Sequence, residues 1–360
     1  MTLTLRELRV RAVDVPMARP LQTAVGVIPS TPLALIDLVS EEGVTGTTYV
    51  FCYTPPGLAA VVAALRELGP ALAGTDLAPV PLWTRLRARF RLLGTNGAIG
   101  LALNGIDMAA WDAAARAADL PLVELLGGRA GGTVTAYGSL KSMRPEDLAE
   151  EAAERVAEGG FRHLKLKIGA TDVAGDLAAI AAVRDAVGDD VALMVDYNQS
   201  LTLTEALARI RVVDELGLAW IEEPLPAEDL DGYARLCAAV QTPIQAGESW
   251  WSPEEAARSV AARASDLVMP DVARVGGVTG WLRAVAVAGA AGLRISTHVY
   301  PEVSAHLLAA TPGAHLLEDL DKTRPLLDPA LVYTGGELTL PSTPGSGVTF
   351  DPDAVERFSV

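Results

Sequence analysis

Little in this sequence would hold it to a nucleic acid, a membrane or an oxidising compartment. Lys and Arg number 29 against 45 Asp and Glu, a formal charge of −16, which disfavours polyphosphates and anionic lipid surfaces as partners. No run of eighteen uncharged apolar residues occurs, so no spanning helix is expected. Met1-Thr2-Leu3-Thr4-Leu5-Arg6 lacks the charge-then-apolar order of a secretory leader. The two cysteines, Cys52 and Cys237, lie far apart without metal-type neighbours, as expected of reduced thiols in a cytoplasmic protein. Aromatics make up 5% of the chain, so the core must be built largely from Ala, Val and Leu. No glycine-rich phosphate loop follows the first strand, which counts against nucleotide binding.

What is present divides into two patterns, and 360 residues suffice for two domains. Residues 3–15, 33–39 and 45–49 alternate like strands of an antiparallel meander. Between the first two runs, Pro20 to Ser30 is apolar and uncharged, and its prolines and glycine predict a loop. Such a loop is a partner surface, a lid over an apolar ligand, or a segment folded onto its own core. From Gly57 to Ala118 the period turns helical, with breaks at Gly69-Pro70, Ala78-Pro79 and Gly94-Thr95-Asn96-Gly97. Thereafter eight short apolar runs (134–140, 163–168, 191–198, 219–224, 244–249, 266–271, 293–298 and 315–319) alternate with Ala-rich helical segments. Eight such units predict a closed α/β barrel of parallel strands.

The chemistry gathers at the C-terminal ends of those runs, where barrels of this kind place it. In His163-Leu164-Lys165-Leu166-Lys167 the two lysines share one face, rooted ~7 Å apart. Each disfavours protonation of the other, which would depress at least one pKa and prepare a base. Asp196, Glu222 and Glu248 follow at intervals of 26 residues; three converging carboxylates repel unless a hard divalent cation neutralises them. Oxygen-only ligands suit Mg²⁺, with Mn²⁺ able to substitute, rather than Zn²⁺. Asp271 and His298, on neighbouring strands, would form an oriented imidazole of raised pKa. Glu318 is left to donate to charge developing on the substrate, and Glu223 is expected on the opposite face of its strand. His163, His306 and His315 read as structural. Bases on the second and seventh strands with a metal between them describe 1,1-proton transfer beside a carboxylate, or elimination from it.

These residues resemble the enolase superfamily, in its mandelate racemase subgroup, and the likeness runs nearly end to end. It is carried by Phe51-Cys52-Tyr53-Thr54-Pro55, Gly105-Ile106-Asp107-Met108-Ala109-Ala110-Trp111-Asp112, Val195-Asp196-Tyr197-Asn198-Gln199-Ser200-Leu201, Trp220-Ile221-Glu222-Glu223-Pro224, Gly276-Gly277-Val278-Thr279-Gly280-Trp281 and Ser304 to Pro312. The resemblance implies an α+β capping domain (1–130), a modified TIM-type (β/α)7β barrel (131–325) and a C-terminal segment (326–360) returning to the cap. It also implies that Lys167 is the base on the S face, with Lys165 lowering its pKa and touching the substrate carboxylate. His298, oriented by Asp271, would be the base on the R face. Asp196, Glu222 and Glu248 would hold Mg²⁺, Asn198 the 2-hydroxyl, and Ser139 a further hydrogen bond, with Glu318 an acid toward the carboxylate. Residues 20–30 would close over the substrate, Leu21, Val25 and Ile28 forming an apolar cup with Tyr53 nearby and Leu320 opposite. Relatives of this kind are homo-oligomers. Leu140-Lys141 after Ser139 and Ser249-Trp250-Trp251 after Glu248 depart from the subgroup's pattern and would reshape the pocket.

The function expected is an Mg²⁺-dependent racemase of a small 2-hydroxy acid with an aryl or bulky apolar substituent. An acid-sugar dehydratase would use the same base and metal. A polyol, however, needs several buried hydrogen-bond partners, each costing roughly 1–3 kcal/mol if unmade, and Leu21 to Ile28 offer only Gln22 and Thr23. A member that binds acids without turning them over is the alternative of another class; the intact lysines and His298 argue against it.

Overall fold

A computed structural model describes residues 2–360. Three long strands, β1 (Leu5–Thr23), β2 (Gly26–Ser40) and β3 (Thr45–Phe51), form an antiparallel sheet in that order. Leu33, Ala34, Leu35 and Ile36 in β2 are all fully buried. This run is apolar at every position because it lies in mid-sheet with both faces covered. Gly46 of β3 lets the helix Gly97–Ala117 come close, since a Cβ there would sit 2.0 Å from the Ala109 carbonyl oxygen. A helix also spans Pro55–Leu72, passing through Pro70 where the sequence predicts a break; only the last turn lies beyond the proline.

The loop expected over residues 20–30 is instead the end of a β-hairpin. β1 continues to Thr23 after a register shift between Pro16 and Leu21, and β2 begins at Gly26. Proline is tolerated there because the irregularity removes the need for its missing N–H. Thr23 Oγ1 accepts from Val25 N and Gly26 N, tightening the turn. Gln22 N donates to Lys141 O at 2.8 Å, tying the hairpin to the barrel mouth.

Eight parallel strands follow: β4 (Thr133–Ser139), β5 (His163–Lys167), β6 (Ala192–Asp196), β7 (Trp220–Glu222), β8 (Ile244–Ala246), β9 (Leu267–Val268), β10 (Arg294–Ile295) and β11 (Leu317–Asp319). Each pairs with the next as far as β10, and β11 pairs with β4. The bridge Ile295–Ala314 and the bond Thr297 N to Leu316 O close the gap between the seventh and eighth strands. The barrel strands are shorter than their apolar runs because the chain bends away just beyond the last paired residue. A helix Pro301–Ala309, not anticipated from periodicity, precedes the last of them. Tyr137, Met194, Trp220 and Leu316 plug the barrel's interior. The C-terminal segment first adds a hairpin, β12 (Tyr333–Thr334) and β13 (Glu337–Thr339), to β4. It then reaches the cap, where Val13 bridges Ser359.

Polar contacts lock cap to barrel. Trp83 Nε1 donates to Gly276 O, and Asn104 Nδ2 to Ala273 O and Arg274 O. Asp107 accepts from Thr279 N at 2.9 Å and Thr279 Oγ1 at 2.6 Å, at the N-terminal end of the helix Gly277–Ala290. Burial pushes Asp107 from 3.8 up to about 7 despite these donors. Its stabilising contribution is thus fully present below pH 4 and lost as pH rises through about 7. Asp107→Ala should cost roughly 1–3 kcal/mol in urea unfolding. Relative to Asp107→Asn, the wild-type midpoint should fall between pH 5 and pH 8; a constant gap would count against this account.

Candidate active site

Lys165 and Lys167 end β5 on one face, as alternation requires, and both are buried at the mouth of the barrel. They do not face one another unopposed. Lys165 Nζ lies 2.5 Å from Glu222 Oε1, 2.9 Å from Glu318 Oε1 and 3.9 Å from Asp196 Oδ2. Lys167 Nζ lies 3.4 Å from Asp196 Oδ2. Burial works against the charge on Lys165, but Glu222 and Glu318 outweigh it and hold this lysine well above its ordinary value. The mutual depression expected of the pair therefore does not govern Lys165, whose charge is set by the carboxylates of Glu222 and Glu318 against it.

The strand ends bring the other residues to the same place. Asp196 closes β6, and Asn198 clamps it, donating from its backbone N–H and its amide at 2.8 Å each. The Asn198 Oδ1 is left buried without a donor, as is Ser139 Oγ at the end of β4. Glu222 closes β7 over Trp220, whose Nε1 donates to it at 2.9 Å. Asp271 and His298 lie beyond the short strands β9 and β10, yet they form a parallel bridge that prolongs the ladder. His298 Nδ1 is 2.7 Å from Asp271 Oδ2, and Nε2 is 3.2 Å from Glu248 Oε2 and 3.9 Å from Glu318 Oε2. Burial would raise Glu318, but Lys165, His298 and Lys167 hold it far below the usual carboxylate range. In this charge state it accepts hydrogen bonds and has no proton to donate, so an acid role requires the cations around it, Lys165 foremost, to be engaged elsewhere.

Two residues missed in the sequence complete the cluster. Glu223 was expected on the far face of β7, but its positive φ of 36° turns the chain out of strand alternation. It stays buried, raised by burial and by the proximity of Glu248 and Asp196, and accepts from Gln199 Nε2 at 2.8 Å. Arg274 reaches Glu248 Oε1 at 3.5 Å, donates to the Tyr53 hydroxyl and stacks 4.8 Å from the Tyr53 ring. Only its place three residues after Asp271 could have marked it.

Six buried carboxylates (Asp196, Glu222, Glu223, Glu248, Asp271 and Glu318) thus face three fixed cations, Lys165, Lys167 and Arg274. Among the described residues no three such groups are gathered tightly enough to grip an ion as placed. Their all-oxygen chemistry, their surplus negative charge and the upward push on Glu222, caused by burial and then opposed by Lys165, nonetheless fit a hard divalent cation. His163, His306 and His315 are depressed by burial, the last two to about 4, as structural imidazoles should be.

Of the apolar cup, Leu21 is buried and Ile28 half-buried, with Leu320 buried beyond β11. Val25 is 74% exposed in the hairpin turn, so it does not contribute to an enclosed wall in this conformation. Leu140 is buried, and Lys141 Nζ donates to Asp321 O at 2.9 Å, joining the first and eighth strand ends. Trp250 is buried in the core.

Residues 5–127 match the family described as mandelate racemase / muconate lactonizing enzyme, N-terminal domain, and residues 147–354 the family described as enolase C-terminal domain-like. The chain belongs to the enolase superfamily. A crystal structure of an enolase from alphaproteobacterium BAL199, solved with bound Mg, is 44% identical with a TM-score of 0.96 and covers 99% of this chain and 100% of that one. An enolase from Bradyrhizobium, complexed with magnesium and mandelic acid, is also 44% identical with a TM-score of 0.95, covering 100% and 99%. The L-talarate/galactarate dehydratase of Salmonella typhimurium is 33% identical over 332 residues, 91% of this chain and 83% of that protein.

Within this superfamily member, Lys165 is the pivot of the buried charge network. Lys165→Met leaves Glu222 and Glu318 without their nearest cation, and removal of one partner of a buried pair costs about 3–5 kcal/mol. Urea unfolding at pH 7 in EDTA should register a loss of that size; a loss below 1 kcal/mol would show that the carboxylates are otherwise satisfied.

Proposed function

We propose that this enzyme moves the α-proton of a 2-hydroxy carboxylic acid between the two faces of the carbon, acting as a racemase with Mg²⁺ as cofactor. The observation that carries this reading is the presence of two separate bases on one carboxylate cluster. Lys167 reaches it from the second strand, and the Asp271–His298 pair reaches it from the seventh. Elimination would use the same pair differently, one as the base and the other as the acid that protonates the departing hydroxide.

Lys167 in its neutral form takes the proton from the α-carbon on one face, and His298 in its protonated form returns one on the other. The reverse direction uses the same two groups in exchanged protonation states. Asp271 holds His298 by Nδ1, leaving Nε2 directed toward Glu248 and Glu318 and hence toward the reacting centre. Lys165 neutralises the substrate carboxylate, and its departure from Glu318 lets that residue gain a proton and hydrogen-bond the developing enolate. Asn198 Oδ1, buried and unpaired, accepts from the 2-hydroxyl. Asp196, Glu222 and Glu248 would hold Mg²⁺, which when bound stabilises negative charge on the carboxylate as the α-carbon ionises. The mandelic acid in the 44% identical structure supports a 2-hydroxy acid of this size.

Dehydration of an acid sugar is the second reading, supported by the talarate/galactarate dehydratase and by a D-galactarolactone cycloisomerase of Agrobacterium fabrum, 35% identical over 299 residues. The reactions separate in one experiment. In D₂O with Mg²⁺, (R)-mandelate should lose optical rotation and gain deuterium at the α-carbon, whereas galactarate should yield no 2-keto acid. Neither change with mandelate, together with keto acid from galactarate, would replace the first reading by the second. Lys167→Met should suppress exchange of (S)-mandelate by at least about 10³-fold, and His298→Asn should do the same for the (R) enantiomer. EDTA should abolish both activities.

A further inference from the structure

A third lysine faces this site with no assigned task. Lys322 follows β11 by three residues, and the chain around it is pinned on both sides. Lys141 Nζ holds the Asp321 carbonyl at 2.9 Å, and Thr323 Oγ1 donates to buried Glu302 at 2.6 Å, which also accepts from the Tyr49 hydroxyl. The half-buried Lys322 directs its ammonium onto the cap's aromatic wall, 4.0 Å from the Phe51 ring centroid and 5.9 Å from that of Tyr53. Those two rings lie 4.3 Å apart. Ring faces attract a cation by ~0.5–2 kcal/mol, but they satisfy none of its three N–H donors as a carboxylate would.

Among the described residues no hydrogen bond or ion pair engages Lys322. The carboxylates that reach it, Glu318, Asp271 and Glu248, act only through space, and Lys167 opposes its charge. Burial is the largest influence and draws Lys322 down to about 7. A cavity of about 20 Å³ lies beside it, lined also by Phe51, Tyr300, Leu320 and Thr323. That is room for one water, or for one oxygen of a bound group.

We propose that Lys322 is a specificity-determining residue that binds a second anionic group, a carboxylate, at the end of the substrate remote from the reacting carbon. The proposal rests on the proton-transfer reading of the centre, which seats the reacting carboxylate at Lys165. A substituent on the α-carbon then points to the cap wall, where Phe51, Tyr53 and Leu320 supply apolar surface and Lys322 supplies an ammonium with no ion-pair partner among the described residues. The substrate is accordingly a 2-hydroxy acid with a compact body and a distal carboxylate.

Two isosteric acids test this. 4-Carboxymandelate and 4-carbamoylmandelate differ at the far end only in charge, so the ratio of their kcat/KM values for α-deuterium exchange isolates recognition of the anion. Wild-type enzyme with Mg²⁺ should favour the carboxylate by roughly 10–100-fold, the range for a charged hydrogen bond. Lys322→Met, or Lys322→Gln if the first variant does not fold, should bring the ratio to about unity, and Lys322→Arg should restore most of it. A ratio unchanged by Lys322→Met, or near unity in the wild type, overturns the proposal. If neither acid exchanges deuterium, the reading of the centre has failed separately. Titration calorimetry of both acids in Mg²⁺ then decides the role of Lys322: the same ratio appears in Kd and vanishes in the variant, or the proposal falls. Absence of measurable carboxylate binding also overturns it.

Discussion

The site depends on one buried contact, Lys165 held between Glu222 and Glu318 at 2.5 and 2.9 Å. An ammonium at the centre of a barrel is tolerable only if its desolvation is offset by close anions, and anions in such numbers are tolerable only if cations interrupt them. Everything around this contact serves that balance. Trp220 props Glu222 from below, and the Tyr137 ring lies 5.3 Å under the Lys165 ammonium. The barrel plug is therefore the floor that fixes the charges as well as apolar filling. A network of this kind is poised: any incoming carboxylate or cation must displace one of its own members, and the displaced member changes its proton affinity. Glu318 shows this most clearly, since Lys165 is the foremost of the three cations, with His298 and Lys167, that hold its proton affinity down.

The cap is part of the same electrostatic arrangement. Arg274 joins Glu248 to the Tyr53 hydroxyl, so the wall of the substrate space is bonded to a carboxylate of the centre. Tyr49 and Thr323 meet on Glu302, and Phe51 N donates to the Tyr300 hydroxyl. These contacts cross between two chain segments some 250 residues apart. By excluding water they strengthen the interactions beneath them.

Much of this was legible in the sequence because barrel strands end in register. Lys165, Lys167, Asp196, Glu222, Glu248, Asp271, His298 and Glu318 could all be read off the ends of the apolar runs, before any family likeness entered. What escaped prediction did so for identifiable reasons. Alternation fails at Glu223, where a left-handed backbone returns the side chain toward the centre. Proline and glycine counting called residues 20–30 a loop because it cannot see that a register shift accommodates Pro20 within a strand. The spacing of two lysines in sequence shows only their mutual repulsion, and cannot show that Glu222 and Glu318, from β7 and β11, close on Lys165 with the opposite charge. Arg274 and Lys322 lie in loops whose direction no periodicity encodes.

The division between centre and wall explains how one superfamily serves a structure holding mandelic acid and a dehydratase of talarate and galactarate. Proton abstraction beside a carboxylate requires the same base, cations and acceptors whatever the substrate's far end, so those residues answer to the reaction. The cap wall contributes no step and is free to vary. Lys141 and Lys322, both in loops after barrel strands and linked through Asp321, place positive charge at that wall in a chain whose net charge is −16. In a protein so rich in carboxylates, the half-buried Lys322 ammonium rests on two ring faces that leave its N–H donors without an acceptor. Its natural complement is an anion that arrives from outside.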